Sequence, residues 1–222
     1  MTEEDPRTRL KICGITTLED ARFASGALCD YLGYIFYAQS PRYVEPAKAA
    51  AITEWVEGPD NVGVFVDENI DEVNDIAHRS GMDLVQLHGT ETPEYCRLID
   101  KPIIKTFRVD GEMKENELHH AIEPYLDVVD YLLFDTKDPH QMGGTGKAFD
   151  WNILKELGKD IPFFLAGGLN AANVRRAINT VQPYAVDISS GVELEPGIKD
   201  FDKVNELIDE MREIWDMQEE ED

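Results

Sequence analysis

Eight short apolar runs recur along the chain at intervals of roughly 20 to 30 residues, and helical patterns fill the intervals. The runs cover residues 10–13, 31–36, 61–66, 84–87, 103–107, 131–134, 163–166 and 185–188. Short apolar strands that alternate with helices are typical of parallel sheets. A doubly wound open sheet usually needs fewer strands, whereas eight such units close a barrel. We therefore predict a single-domain (β/α)8 TIM barrel over residues 1–222, in the α/β class.

The last helical pattern lies at 200–215, and the chain after Trp215 is rich in acidic residues. We expect a short acidic tail at about 216–222 that frays, because chain ends without buried contacts are poorly ordered.

The charge balance excludes one class of partner. The 45 acidic residues outnumber the 21 basic ones, for a net charge of −24, whereas nucleic-acid binding requires clustered Lys and Arg. The acidity fits either an ordinary solvated surface or adaptation to high salt, and composition does not decide between them. No run approaches the ~18 apolar residues of a membrane span, and the acidic N-terminus does not resemble a secretory signal.

Cysteine usage points to a reducing compartment. Cys13, Cys29 and Cys96 are an odd number of cysteines without a paired spacing. Such cysteines are typical of reduced thiols, so we expect a cytoplasmic protein. The sequence does not fix the oligomeric state, and we expect either a monomer or a homodimer.

Two neighbouring runs each end in a glycine-bearing turn. Gly167-Gly168 follows the seventh run, and Ser189-Ser190-Gly191 follows the eighth. Backbone N–H groups at such turns bind dianions, and the loops after strands 7 and 8 form a frequent phosphate site in barrels. Either turn alone fits ordinary tight geometry, but the adjacent pair favours phosphate binding.

Reactive side chains follow several of the other runs. In a barrel, the catalytic groups stand at the C-terminal ends of the strands. The reactive residues at these ends are Cys13, His88, Arg108 and Asp135, and the loop after the second run carries Arg42. A lone cysteine is more often a small buried hydrophobe, and a lone aspartate more often a turn residue. Their convergence on one rim with the two glycine turns favours an active site.

Strand alternation places Lys11 on the same side as Cys13. If that side is the barrel interior, the lysine either lowers the pKa of the thiol or forms a structural pair with Asp187 on the adjacent eighth strand. The long loop at 135–147 carries Gly143, Gly144, Thr145 and Gly146, and it is either a lid over the site or a plain surface loop.

These motifs occur together, in the same order, in one enzyme family, and the chain resembles phosphoribosylanthranilate isomerase. The matching segments are KICG at 11–14, SPRY at 40–43, VGVFV at 62–66, VQLHG at 85–89, DTK at 135–137, GGTGK at 143–147, AGGLN at 166–170, VDISSGVE at 186–193 and PG at 196–197. Each segment alone is weak evidence, whereas the ordered set is highly specific.

The resemblance implies the third step of the tryptophan branch: the Amadori rearrangement of an anionic sugar phosphate, N-(5′-phosphoribosyl)anthranilate, without metal or organic cofactor. It assigns the general acid to Asp135 and the general base to Cys13. It places Arg42 against the anthranilate carboxylate with His88 nearby, and the phosphate on the two glycine turns. Asp135 must then carry a proton, and we expect the pKa of Cys13 to fall.

Two other functions remain open at this stage. A related barrel isomerase acting on an aminoaldose phosphate would typically carry an aspartate at the position of Cys13. A barrel that binds phosphate ligands without catalysis would not need both Cys13 and Asp135. Both residue identities therefore favour the isomerase of the tryptophan branch.

Overall fold

The protein is described by a computed structural model covering residues 7–109, 113–136, 151–155 and 161–221. Eight parallel strands pair in chain order, and the last pairs with the first to close a barrel. The strands are β1 Arg9–Cys13, β2 Tyr31–Ile35, β3 Asp60–Phe65, β4 Leu84–Leu87, β5 Ile103–Val109, β6 Tyr131–Thr136, β7 Phe163–Ala166 and β8 Ala185–Ile188. The predicted TIM barrel is confirmed, and every predicted strand is present with its ends shifted by at most 2 residues.

Helices follow the strands and cover the outside of the barrel. They are α1 Leu18–Gly26, α2 Pro46–Thr53, α3 Ile70–Arg79, α4 Pro93–Cys96, α5 Glu115–Ile122, α6 Ala171–Val181 and α7 Phe201–Glu221. Short 3-10 turns occupy Glu123–Tyr125, Trp151–Leu154 and Ser190–Val192. After β8, the short strands β9 Glu193–Glu195 and β10 Ile198–Lys199 form an antiparallel hairpin. In the part of the chain that is described, no helix combines the length and apolar composition needed to cross a bilayer.

The barrel interior is closed at its N-terminal end by a layer of apolar side chains. Because alternate residues of a strand face the same side, one inward position from each of seven strands contributes to this layer. Its buried members are Tyr31, Val62, Leu84, Ile104, Leu133, Phe164 and Ala185. The inward residues two positions further along the strands include Gly33, Val64 and Ala166 and also five polar residues, which we call the polar layer and which form the floor of the site described below: Lys11, Gln86, Thr106, Asp135 and Asp187.

The acidic segment after Trp215 belongs to the last helix, because α7 continues to Glu221. The buried indole of Trp215 donates from Nε1 to the carbonyl oxygen of Thr8, at 2.7 Å. One turn later, Gln218 accepts from the backbone nitrogen of Thr8 at 3.0 Å. Arg175 on α6 pairs with Glu210 and Glu213 of α7. These contacts anchor the acidic helix to the start of β1 and to α6.

Candidate active site

A cleft of about 420 Å³ opens at the C-terminal ends of the strands. Nine residues predicted from the sequence line it: Cys13, Arg42, His88, Asp135, Gly167, Gly168, Asp187, Ser189 and Ser190. Nine further residues line it, among them Arg108 at the end of β5, and Tyr37 and Gln86, which the sequence analysis did not single out. A larger depression lies along the outer surface of α5, but no set of strand ends converges there. We therefore place the candidate active site in the cleft at the strand ends.

Lys11 lies beneath the cleft rather than in its lining, and its side chain is fully buried. Its Nζ atom lies 2.8 Å from Oδ2 of Asp187 and donates to Oε1 of Gln86 at 2.7 Å. Burial alone would lower the pKa of this lysine, but Asp187 and Cys13 outweigh it and raise the pKa above the ordinary range. The structure contains the ion pair with Asp187, and the lysine charge also acts on the neighbouring thiol, so the two alternatives occur together.

Cys13 ends β1 inside the cleft, but its thiol does not have the predicted pKa. Burial raises the pKa above that of a free thiol, and the nearby charges of Lys11 and Lys199 offset this only in part. The expectation of a lowered pKa is therefore wrong for this structure, because removal from water outweighs the cations. Gly33 on β2 makes room for the sulfur: a Cβ there would lie 2.6 Å from Sγ.

His88 and Asp135 face each other across the cleft. The Nε2 atom of His88 lies 3.6 Å from Oδ2 of Asp135, and both side chains remain partly exposed. The other ring nitrogen, Nδ1, lies 3.1 Å from Nε2 of Gln86. Asp187, Lys11, Gln86, His88 and Asp135 thus form one continuous line of polar contacts from β8 to β6.

Arg42 enters the cleft from the loop after β2, held by a carboxylate that sequence reasoning missed. Glu193 accepts from Nε of Arg42 at 2.8 Å and from Nη2 at 2.6 Å, and this pairing raises the pKa of the guanidinium. Lys199 lies 3.1 Å from the same carboxylate and also donates to the carbonyl oxygen of Cys13 at 2.6 Å. The hairpin after β8 therefore fixes both Arg42 and the end of β1.

The two glycine turns meet at the rim as predicted, with different roles for their glycines. Gly167 and Gly168 have φ angles of 100° and 68°, a region that residues with a Cβ rarely adopt. Gly191 does not line the cleft, and a Cβ there would lie 2.0 Å from the carbonyl oxygen of Leu169. Gly191 thus permits the two turns to pack together. The Ser189 hydroxyl oxygen is buried near Gly14, without a hydrogen-bond partner among the described residues.

The predicted lid residues Gly143, Gly144, Thr145 and Gly146 lie outside the described residues, so the lid stays a prediction. Within the described ranges, no group of three or more His, Cys, Asp or Glu side chains is arranged to hold a metal ion.

Comparisons with known proteins agree on one family. The family model for N-(5′-phosphoribosyl)anthranilate isomerase matches residues 10–210. The N-(5′-phosphoribosyl)anthranilate isomerase of Geobacter sp. (strain M21) is 46% identical over 208 residues, which is 93% of this chain and 99% of that protein.

Solved structures of the same family superpose on the fold. A crystal structure of phosphoribosylanthranilate isomerase in complex with reduced 1-(o-carboxyphenylamino)-1-deoxyribulose 5-phosphate is 37% identical with a TM-score of 0.81, covering 93% of this chain and 99% of that chain. A structure of monomers generated from the dimeric enzyme of Thermotoga maritima is 38% identical, with the same TM-score and the same coverage. The chain belongs to the N-(5′-phosphoribosyl)anthranilate isomerase family.

Proposed function

We propose that this protein converts N-(5′-phosphoribosyl)anthranilate into 1-(2-carboxyphenylamino)-1-deoxyribulose 5-phosphate in tryptophan biosynthesis. The observation that carries the proposal is a single cleft of about 420 Å³ lined by Cys13, Asp135 and both glycine turns. A thiol and a carboxyl that reach one bound sugar supply the base and the acid that an aldose–ketose rearrangement requires. The related structure with a bound ribulose 5-phosphate compound supports an anionic sugar phosphate as the ligand.

The substrate is anchored at its two anionic ends. The phosphate binds to backbone amides of the two glycine turns, beside the unpartnered hydroxyl of Ser189. The anthranilate carboxylate binds Arg42. Glu193 engages Nε and Nη2 along one edge of the guanidinium, which leaves N–H groups on Nη1 and Nη2 for a second carboxylate.

Ring opening is assigned to Asp135. Its carboxyl gives a proton to the ring oxygen while the bond between that oxygen and C1′ breaks. The nitrogen lone pair forms the C=N bond of a cationic Schiff base, and the ring oxygen becomes the 4′-hydroxyl. Arg108, which also lines the cleft, adds positive charge near the carboxylate that forms.

Proton abstraction is assigned to Cys13. The sulfur takes the proton from C2′, and the C–H electrons form the C1′=C2′ bond of an enolamine while the Schiff base nitrogen is neutralised. Ketonisation then adds a proton at C1′ and removes the proton of the 2′-hydroxyl. The thiolate that takes this proton forms when the Cys13 thiol releases its own proton to solvent, and that released proton replaces the one given up by Asp135, so the overall change is an isomerisation.

The raised pKa of Cys13 has a consequence for the order of events. The thiol is the favoured form before substrate binds, because burial disfavours the thiolate. The cationic Schiff base places a new positive charge beside the sulfur, in addition to those of Lys11 and Lys199. A thiolate is then stabilised at the stage of the reaction that needs a base.

The surroundings of the enzyme are a second part of the proposal. All three cysteines are buried and unpaired, which supports a reducing compartment, and we assign the protein to the cytoplasm. The related enzyme named as dimeric supports a homodimer as an alternative to a monomer.

The test follows the loss of anthranilate-type fluorescence when the protein is mixed with N-(5′-phosphoribosyl)anthranilate. We expect wild-type protein to consume the substrate, and Cys13→Ala and Asp135→Asn to turn it over at least ~100-fold more slowly. Both variants should still bind the reduced product analogue. Cys29→Ala, which removes a thiol buried outside the cleft, is the control and should retain turnover. Wild-type turnover in either site variant would reject the role assigned to that residue.

A further inference from the structure

Gln86 lies at the centre of the line of polar contacts along the floor of the cleft, and it has no role in the proposed mechanism. It stands on β4 between Lys11 and His88, and only 2% of the residue is exposed. Its Oε1 atom accepts from Nζ of Lys11 at 2.7 Å, and its Nε2 atom lies 3.1 Å from Nδ1 of His88. A buried amide with both ends engaged can fix the orientation of its neighbours.

The direction of each hydrogen bond in this line is determined by the first one. A protonated lysine has three N–H donors and no acceptor, so the atom of Gln86 that faces Lys11 must be the amide oxygen. The amide nitrogen then faces His88, and it can only donate. The Nδ1 atom of His88 must therefore accept, and a neutral imidazole that accepts at Nδ1 carries its proton on Nε2.

The Nε2–H group of this tautomer is directed at Asp135. The distance from Nε2 to Oδ2 of Asp135 is 3.6 Å, and catalytic hydrogen bonds are often longer before substrate binds. An oxygen that faces an N–H donor does not also present its own proton there, because two hydrogens would then meet. In the role proposed above, Asp135 would accordingly carry its acid proton on the other oxygen, Oδ1.

We infer that Gln86 is a positioning residue for the reaction: it holds His88 in the Nε2–H tautomer, whose N–H group faces Oδ2 of Asp135 and leaves Oδ1 to deliver the proton to the sugar. The inference rests on the proposed role of Asp135 as the general acid. Gln86 itself touches neither reacting atom; it acts through His88.

The tautomer can be measured directly, without substrate. In protein labelled with ¹⁵N-histidine, a long-range ¹H–¹⁵N correlation spectrum separates a protonated ring nitrogen from a bare one, and the loss of a signal in His88→Asn assigns the His88 resonances among 5 histidines. We expect the wild-type proton on Nε2. In Gln86→Glu, the carboxylate still accepts from Lys11 but cannot donate to His88, so the proton should move to Nδ1.

Kinetics then test whether the tautomer matters. We expect kcat to fall about tenfold or more in Gln86→Glu and in Gln86→Met, since supporting residues typically contribute on this scale. KM should stay within about threefold, because neither variant removes a proposed phosphate or carboxylate contact. Thr106→Val is the matched control: it removes a second, 3.4 Å partner of the same amide nitrogen and should leave both the tautomer and kcat unchanged.

A combined variant separates positioning from general damage to the barrel. In a His88→Asn background, Gln86→Met should lower kcat no further, because the residue through which Gln86 acts is already gone. Each of three results would overturn the inference. The first is a proton on Nδ1 of His88 in the wild-type protein. The others are a tautomer that shifts in Gln86→Glu while kcat stays unchanged, and fully additive losses of kcat in the double variant. Wild-type turnover in Asp135→Asn would instead overturn the proposed acid and leave the tautomer measurement standing.

Discussion

The two ends of the barrel interior are built from the same strands but hold opposite kinds of side chain. At the N-terminal end, the ring of Phe164 packs edge-on against Tyr31 and Tyr131, with ring centroids 5.3 and 5.5 Å apart. Two residues further along the strands, the inward positions of β1 and β8 are Lys11 and Asp187, which form a buried ion pair. The apolar layer needs volume and shape, whereas the polar layer needs a partner for every donor and acceptor.

The polar layer meets that demand incompletely, and this is where it differs most from the apolar layer. Oδ1 of Asp187 and Oγ of Ser189 are buried without hydrogen-bond partners among the described residues. Unpaired buried oxygens weaken a fold unless a ligand or a water molecule supplies the missing donors. We conclude that the apolar end contributes to the free energy of unfolding, whereas the unpaired oxygens of the polar end lower it and remain available to a ligand.

The largest expected effect is that of Lys11→Met, which breaks the polar layer. It leaves the Asp187 carboxylate buried without its cation, so the free energy of unfolding should fall by about 3–5 kcal/mol, and kcat should fall as well. Denaturant unfolding and the fluorescence assay measure the two losses. Lys105→Met, which breaks the buried pair with Glu91 outside the cleft lining, is the control and should lose comparable stability with a smaller loss of kcat.

The same variant has a defined pH dependence. The folded pKa of Lys11 is raised, so its contribution to stability is fully present below the unfolded value of about 10.4 and is lost as pH rises through the folded value. The stability difference between wild type and Lys11→Met should therefore be constant from about pH 7 to 10 and narrow above that. A difference that instead narrows toward pH 7 would contradict the raised pKa.

Phe164→Ala makes the complementary change in the apolar layer. Removing this fully buried ring should lower the free energy of unfolding by about 3–5 kcal/mol through lost transfer energy and the cavity left behind. The kcat per folded molecule should stay within about twofold of wild type, because the ring lies below the polar layer. A loss of kcat as large as that of Lys11→Met would show that the two ends are not separable.

The fold could be predicted from the sequence because its signals are local. Each strand is a short apolar run, and the recurrence of eight such runs leaves few alternatives to a closed barrel. The end of α7 could not be predicted this way, because it depends on the distant partners of Trp215 and Gln218 near the start of β1. An acidic run considered alone predicts fraying, whereas the folded chain gives Trp215 and Gln218 partners near the start of β1.

In the candidate site, too, local signals could be predicted and contacts between distant residues could not. Cys13, Asp135 and the glycine turns were found because residue type and position after a strand already indicate chemistry. The partners of two other predicted residues were missed: Glu193 meets Arg42 across 151 positions of sequence, and Gln86 meets Lys11 across 75. No local pattern encodes such contacts, and the direction of the Cys13 pKa shift also depends on burial that only the folded barrel creates.

The smallest predicted effect concerns that thiol and sharpens the comparison within the polar layer itself. Alkylation of Cys13 by iodoacetamide, followed by peptide mass spectrometry from pH 7 to 11, should rise with a midpoint above the ordinary thiol value of about 8.5. The midpoint reports the pKa, whereas the plateau rate reports access to the sulfur, so limited access alone cannot produce the shift. Cys96, whose pKa burial raises to about 11, is the reference thiol outside the cleft.

In Lys11→Met the midpoint for Cys13 should move higher still, because a cation that favours the thiolate has been removed. A wild-type midpoint below 8.5 would mean that the two lysines outweigh burial, and the thiolate would then be present before substrate arrives rather than being stabilised by the Schiff base.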